Sequence, residues 1–253
     1  MRTKKKLFAA ALAVCMVSIL SFSTLAWFNA SESVTNKFMV ASTGTGEPGQ
    51  SEPDKVFSVD LWEYVADEDG DGTPDKKVSY RTDGTSEWEY KDILPGVKYI
   101  KQPTVENTGS YDQYIRMVVT VSKATEWTTL LAKYGITDMG TIFLGHDETV
   151  WECHTAGTFT NTTENTISFV YYLNDKLAPG ATASLFKQIQ LPGALTQQDM
   201  VAMGGEFEIK IQADAIQTEG LGDGIDNAQK AFESIGWTAN KTYTEAMTPS
   251  TNP

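Results

Sequence analysis

From residue 56 onward, apolar and polar positions alternate in short runs. Glu206-Phe207-Glu208-Ile209-Lys210-Ile211-Gln212-Ala213 alternates cleanly, which puts polar side chains on one face of a strand. Tyr114-Ile115-Arg116-Met117-Val118-Val119-Thr120-Val121 is the strongest strand candidate, and Thr166-Ile167-Ser168-Phe169-Val170-Tyr171-Tyr172-Leu173 is another. The run from Val56 to Val65 alternates imperfectly but is equally rich in strand formers. Helical spacing is sparse. It predicts short helices over Thr125 to Tyr134 and Thr196 to Met203, and a third over Gly224 to Ile235 from Ile225, Ala228, Ala231, Phe232 and Ile235. Many short strands punctuated by turns predict an all-β, antiparallel β-sandwich over 55–237 with a few short helices, followed by a polar tail at 238–253.

Two turn-plus-strand units look alike. Ile93-Leu94-Pro95-Gly96 leads into Val97 to Val105, and Leu177-Ala178-Pro179-Gly180 leads into Ala181 to Leu191. Pro-Gly favours a type II turn, in which glycine takes positive φ. The units read either as corresponding edges of a two-sheet sandwich or as coincidence, because Pro-Gly turns are common.

The N-terminal pattern is different. Arg2, Lys4, Lys5 and Lys6 precede an apolar run from Leu7 to Leu20, and Thr24-Leu25-Ala26 ends on a small residue. This predicts a signal peptide over 1–26. The apolar core is shorter than the roughly 20 residues of a spanning helix. Cys15 follows Val14 rather than a small residue, which argues against lipidation. Trp27 to Val40 contains a strand-like stretch, Val34-Thr35-Asn36-Lys37-Phe38-Met39-Val40. Residues 41–54 are a Gly/Ser/Thr/Pro-rich segment that cannot bury much apolar surface and reads as a loose linker.

Composition narrows the chemistry. The chain has 253 residues, 41% of them hydrophobic, with a mean hydropathy of -0.28. Its formal net charge is -13 and its pI about 4.6, a poor match to a phosphate backbone. The histidines are His146 and His154, the cysteines Cys15 and Cys153. Cleavage after Ala26 leaves Cys153 as the one thiol, so a disulfide scaffold is excluded and stability must come from the core.

The sharpest local motif is Asp67-Glu68-Asp69-Gly70-Asp71-Gly72-Thr73-Pro74-Asp75. Carboxylates at alternate positions in a tight loop offer the converging oxygens that hard Ca²⁺ takes. The run resembles the calcium loops of thrombospondin type 3 repeats and dockerins. That pattern implies carboxylates from Asp67, Asp69, Asp71 and Asp75 and a backbone carbonyl from Thr73. It departs from the EF-hand, since the twelfth position is Val78 rather than a bidentate glutamate. The plain alternative is a solvated acidic hairpin loop.

His146-Asp147-Glu148 and Glu152-Cys153-His154 form the one cluster with transition-metal donors. No H-E-x-x-H is present, and an even separation along a strand would put both imidazoles on one face but far apart. The sequence has no G-x-S-x-G and no phosphate-binding glycine loop. Trp62, Trp88, Trp127 and Trp151 read as core aromatics or as the lining of a glycan site.

Several segments in order resemble the TasA/camelysin family of exported Gram-positive proteins. They are Leu25-Ala26-Trp27-Phe28-Asn29 with Val34-Thr35-Asn36-Lys37-Phe38, and Leu94-Pro95-Gly96 with Lys101, Pro103-Thr104-Val105, Asn107-Thr108-Gly109 and Tyr114-Ile115-Arg116-Met117. Then come Leu177-Ala178-Pro179-Gly180 with Leu185-Phe186, and Ile211-Gln212-Ala213-Asp214 with Ala228, Ala231-Phe232 and Ile235. The acidic 67–75 loop is not part of that pattern. The resemblance implies a jelly-roll sandwich, processing by a signal peptidase of the SipW type, and a secreted or wall-associated location. It also implies self-association into fibres by donor-strand complementation through residues 27–40. A strand-like N-terminus on a loose linker suits such β-augmentation. The alternative within one copy is that this strand folds back on its own domain. Camelysin-type members are classed as metallopeptidases, which makes peptidase the runner-up function. A third reading is a non-polymerising surface binding module that uses the aromatics and the calcium loop.

Overall fold

In the computed structural model, residues 29–32, 38–39, 56–81, 84–154, 159–221 and 223–237 are described. The expected signal peptide over 1–26, most of the expected strand and linker over 27–54, and the tail 238–253 lie outside the described residues. In chain order the strands are β1 (Asn29–Glu32), β2 (Phe38–Met39), β3 (Val56–Phe57), β4 (Val59–Ala66), β5 (Lys76–Ser79), β6 (Lys98–Ile100), β7 (Gln102–Asn107) and β8 (Gln113–Ser122). They continue as β9 (Phe143–Leu144), β10 (Trp151–Cys153), β11 (Phe159–Asn161), β12 (Thr166–Leu173), β13 (Thr182–Ser184), β14 (Gln188–Gln190) and β15 (Ile209–Gln217). The helices are α1 (Ala124–Lys133), α2 (Gln197–Ala202) and α3 (Ala228–Ser234).

The larger sheet runs β1-β15-β8-β12-β10, with β11 also on β12. The other strands form β13-β7-β4-β5, β6-β14-β9 and the pair β2-β3. All pairings are antiparallel, so the chain is an all-β sandwich with short helices, the class its periodicity predicts.

The dense apolar run in β8 has a physical reason: both of its faces are covered. Ile115, Met117, Val119 and Val121 point into the core between the sheets. Tyr114 and Val118 point the other way and pack under Ala228, Ala231 and Phe232 of α3. Arg116 shares that outer face. It is fully buried, donates from Nε to Asp214 Oδ2 at 2.9 Å, and lies 5.0 Å from the ring centres of Phe232 and Trp237. Complete burial of one large apolar side chain contributes about 1.5–3 kcal/mol, so this doubly covered strand is the centre of the fold's stability.

The two Pro-Gly units turn out to be partners. β7 pairs with β13 and β6 with β14, so the two segments run antiparallel along their whole length. The Gly96 N–H donates to Leu191 O at 2.9 Å, and the Gly180 N–H to Asn107 O at 2.7 Å. Each turn therefore closes on the far end of the other unit. Both glycines take positive φ, +79° and +73°, as the Pro-Gly pattern requires.

The helix ends are satisfied from elsewhere in the chain. At the start of α1, Ala124 N–H donates to Asn165 O and Thr125 N–H to Asn165 Oδ1. Asn165 is thereby committed to capping. α2 opens with a capping box between Thr196 and Asp199, and Asp199 also accepts from Lys133 Nζ and Tyr134 Oη at the end of α1.

Candidate functional site

The acidic loop joins β4 to β5 and is built by its own carboxylates. Asp67 accepts from Gly70 N at 2.7 Å and from Gly72 N at 2.8 Å. Asp69 accepts from Asp71 N, and Asp71 from Thr73 N. These bonds turn Asp67, Asp69 and Asp71 toward one another, with one carboxylate oxygen from each within 4.8 Å of the others. The Gly72 N–H, then that of Gly70, holds the Asp67 carboxyl below its usual range. Asp75 is placed differently. Its N–H donates to Ala66 O and its Oδ1 accepts from Glu68 N, so it pins the base of the loop. Of the five expected ligand residues, the structure brings three carboxylates together. Thr73 enters through its amide and Asp75 stands at the loop's base. Val78, at the twelfth position, lies in β5 opposite Glu63. Oxygen-only donors in a short exposed loop fit a hard divalent cation and not a soft one.

The loop is coupled to an aromatic surface. Lys76, the first residue of β5, is 2.7 Å from Glu68 and lies over the Trp88 ring at 4.8 Å. Trp88, Tyr90 and Tyr99 are half-buried around a cleft floored by Val65 and Ile100. The other tryptophans named above are not surface groups: Trp127 and Trp151 are fully buried and Trp62 nearly so. Sequence reasoning missed Tyr90 and Tyr99, because 88–90 is irregular backbone and its neighbour across the cleft is β6.

Behind that cleft lies a buried polar group. Glu63 on β4 accepts from Lys101 Nζ at 2.6 Å and from Tyr80 Oη at 2.7 Å, with both charges almost fully excluded from water. Burial first, then the Glu63 charge, pushes the Tyr80 and Tyr90 hydroxyls far above their ordinary range.

The two histidines do not share a face. His146 packs on Tyr171, with ring centres 5.1 Å apart, and His154 packs on Tyr172 at 5.8 Å. Tyr171 and Tyr172 are successive residues of β12 and point to opposite sides of the sheet. The same-face expectation fails because 146–150 is a turn, closed by Val150 N and Trp151 N donating to Asp147 O, and only 151–153 is strand. Cys153 is half-buried against the core, and that burial raises its thiol above the ordinary value. It is placed as a packing group.

The other notable feature is an edge. β1 lies along β15 with Asn29 opposite Ile216, Ala30 opposite Ala215, Ser31 opposite Asp214 and Glu32 opposite Ala213. Past β1 the same edge is met by the 84–85 segment, where Ile211 N–H donates to Gly84 O and Thr85 bridges to Lys210. β2 then pairs with β3, whose chain leads on into β4 of the second sheet. The N-terminal arm thus touches both sheets within one copy. No known family model matches the chain, and no curated protein matches it.

Proposed function

We propose that the protein is an exported structural subunit, TasA-like in kind, that joins copies of itself into a surface or matrix fibre by passing its N-terminal strand to a neighbour. The observation that carries this reading is the four-residue pairing of β1 with the edge of β15. A ladder that short is worth little: a hydrogen bond contributes about 0.5–1.5 kcal/mol net. The same main-chain bonds can be made by a strand arriving from another copy. The Gly/Ser/Thr/Pro composition of 41–54 provides the tether such an exchange needs. A head-to-tail contact of this kind does not close on itself and propagates as a filament. The ordered motifs resembling the TasA/camelysin family support the same reading. The peptidase alternative draws no support from the histidines, which stand on opposite sides of β12.

Within this subunit the 67–75 loop is assigned a structural Ca²⁺, held by Asp67, Asp69 and Asp71. Exported modules of this type bind weakly, with Kd about 10⁻⁴–10⁻³ M. Calorimetry should give a single site that Asp69→Asn abolishes; no heat at millimolar calcium refutes the assignment.

The test of self-association is electron microscopy of the purified protein beside a variant lacking residues 27–40. Filaments from the first and monomers from the second are expected. Filaments of unchanged form from the deletion would sink the strand-exchange reading.

A further inference from the structure

The cleft around Trp88 is a separate site, and it does not depend on self-association. It has a volume of about 570 Å³ and opens between the irregular 88–91 segment, the end of β4 and β6. Its two tyrosine rings are held by hydrogen bonds, and Lys76 lies over the Trp88 ring. Tyr90 Oη donates to Ile100 O at 2.7 Å, and Tyr99 Oη accepts from Leu94 N–H at 2.8 Å. The two tyrosine rings stand nearly perpendicular, 82° apart, with centres at 6.5 Å. Rings fixed in this way lose little entropy when a flat apolar ligand settles on them.

Charge decides what kind of ligand fits. Lys76 already lies over the Trp88 ring, and Lys101 lies 5.6 Å from the Tyr90 ring centre. Cations are therefore in place beside two of the three rings, and a cationic ligand would meet repulsion. A polyanion is opposed by the net charge of -13. The rim is a neutral pair, Glu89 and Lys91, 3.5 Å apart and mostly exposed. What suits aromatic walls and a rim that both donates and accepts is an uncharged molecule with apolar faces and hydroxyl edges.

We propose that this cleft binds a neutral glycan, with C–H faces of the sugar rings on Trp88 and the two tyrosines and hydroxyls at Glu89 and Lys91. For a protein that works outside the cell, this gives the folded domain a polysaccharide contact that the exchanged strand does not provide.

The purified protein would be tested by affinity electrophoresis in gels containing neutral β-glucan, mannan, xylan or starch, and by calorimetry with the matching hexasaccharides. At least one sugar should bind. Trp88→Ala should weaken it about tenfold or more, the loss of roughly 1.4 kcal/mol of stacking and burial. Trp88→Phe, which keeps a ring, should retain most of the affinity. A Glu89→Ala/Lys91→Ala variant changes only exposed side chains and should also weaken binding, which protects the test if Trp88→Ala fails to fold. Absence of retardation in every gel overturns the proposal. So does binding that Trp88→Ala and the double variant leave undiminished, or capture of an apolar tyrosine-rich peptide with no sugar bound.

Discussion

Arg116 and Asp214 show how a polar pair becomes a structural necessity. Both are wholly buried, and the guanidinium lies 5.0 Å from the ring centres of Phe232 and Trp237, which stack on each other. Arg116→Met should cost about 3–5 kcal/mol in urea unfolding, because the buried Asp214 charge loses its cation and keeps only neutral donors such as Gln212. Adding Asp214→Leu should recover most of that loss, since no charge is then buried. A double variant as unstable as the single one would show that the stacking, not the charge pair, carries the energy. Asp67 is the opposite case, a partly exposed surface carboxylate tuned by backbone donors. Its pKa is depressed in the folded loop, so its contribution is present above the ordinary value of 3.8 and is lost as pH falls through the folded value. A carboxyl NMR titration should place its midpoint below 3.8, and Gly72 and Gly70 amide shifts should move with it. A midpoint at the ordinary value would mean the loop is not held this way in solution.

At the scale of elements, periodicity read well where an element's own residues determine its state. β12 runs from Thr166 to Leu173, as its pattern predicts, and β8 extends the predicted run by one residue at each end. The three short helices fall within or beside their expected spans. β15 begins at Ile209 and continues to Gln217, later than the alternation from 206 suggests. Its start follows its partner, because Val121 opposite Ile209 ends the buried stretch of β8. The Pro-Gly units illustrate the same limit. Their turns were legible from composition, but their pairing with each other was not. Gly180 has open space where a Cβ would sit, so Gly180→Ala isolates the conformational penalty of φ +73°. Thermal unfolding should show a loss of about 1–2 kcal/mol. Gly96→Ala should cost about the same, since its φ is +79° and its Cβ would make only an ordinary contact with the Gly193 backbone at 3.4 Å. Equal wild-type stability in both would mean the turns relax without strain.

At the scale of the molecule, the edge of β15 is the feature with the largest consequences. A sheet edge left open presents unpaired N–H and C=O groups to any passing strand. β1 covers that edge at 213–216 and the 84–85 segment covers it at 210–211. Removing residues 27–40 should therefore raise hydrogen exchange at amides in 213–216 while leaving β8 and β12 protected. Unchanged exchange across 213–216 would mean β1 does not occupy that edge in solution.

By itself the sequence determined the all-β class, the central strands, the helix positions and the acidic loop. Each depends on contacts between residues close in the chain: alternation, turn chemistry and carboxylates reaching backbone N–H groups a few residues away. Tertiary structure alone decided that the two Pro-Gly units face each other and that the histidines stand on opposite sides of β12. It also decided that β1 lies on β15 and that Trp88, Tyr90 and Tyr99 share one cleft. Those outcomes rest on pairings between residues far apart in the chain, such as Ser31 with Asp214. Local pattern cannot encode them, because it records which face a residue prefers and not which surface that face will meet.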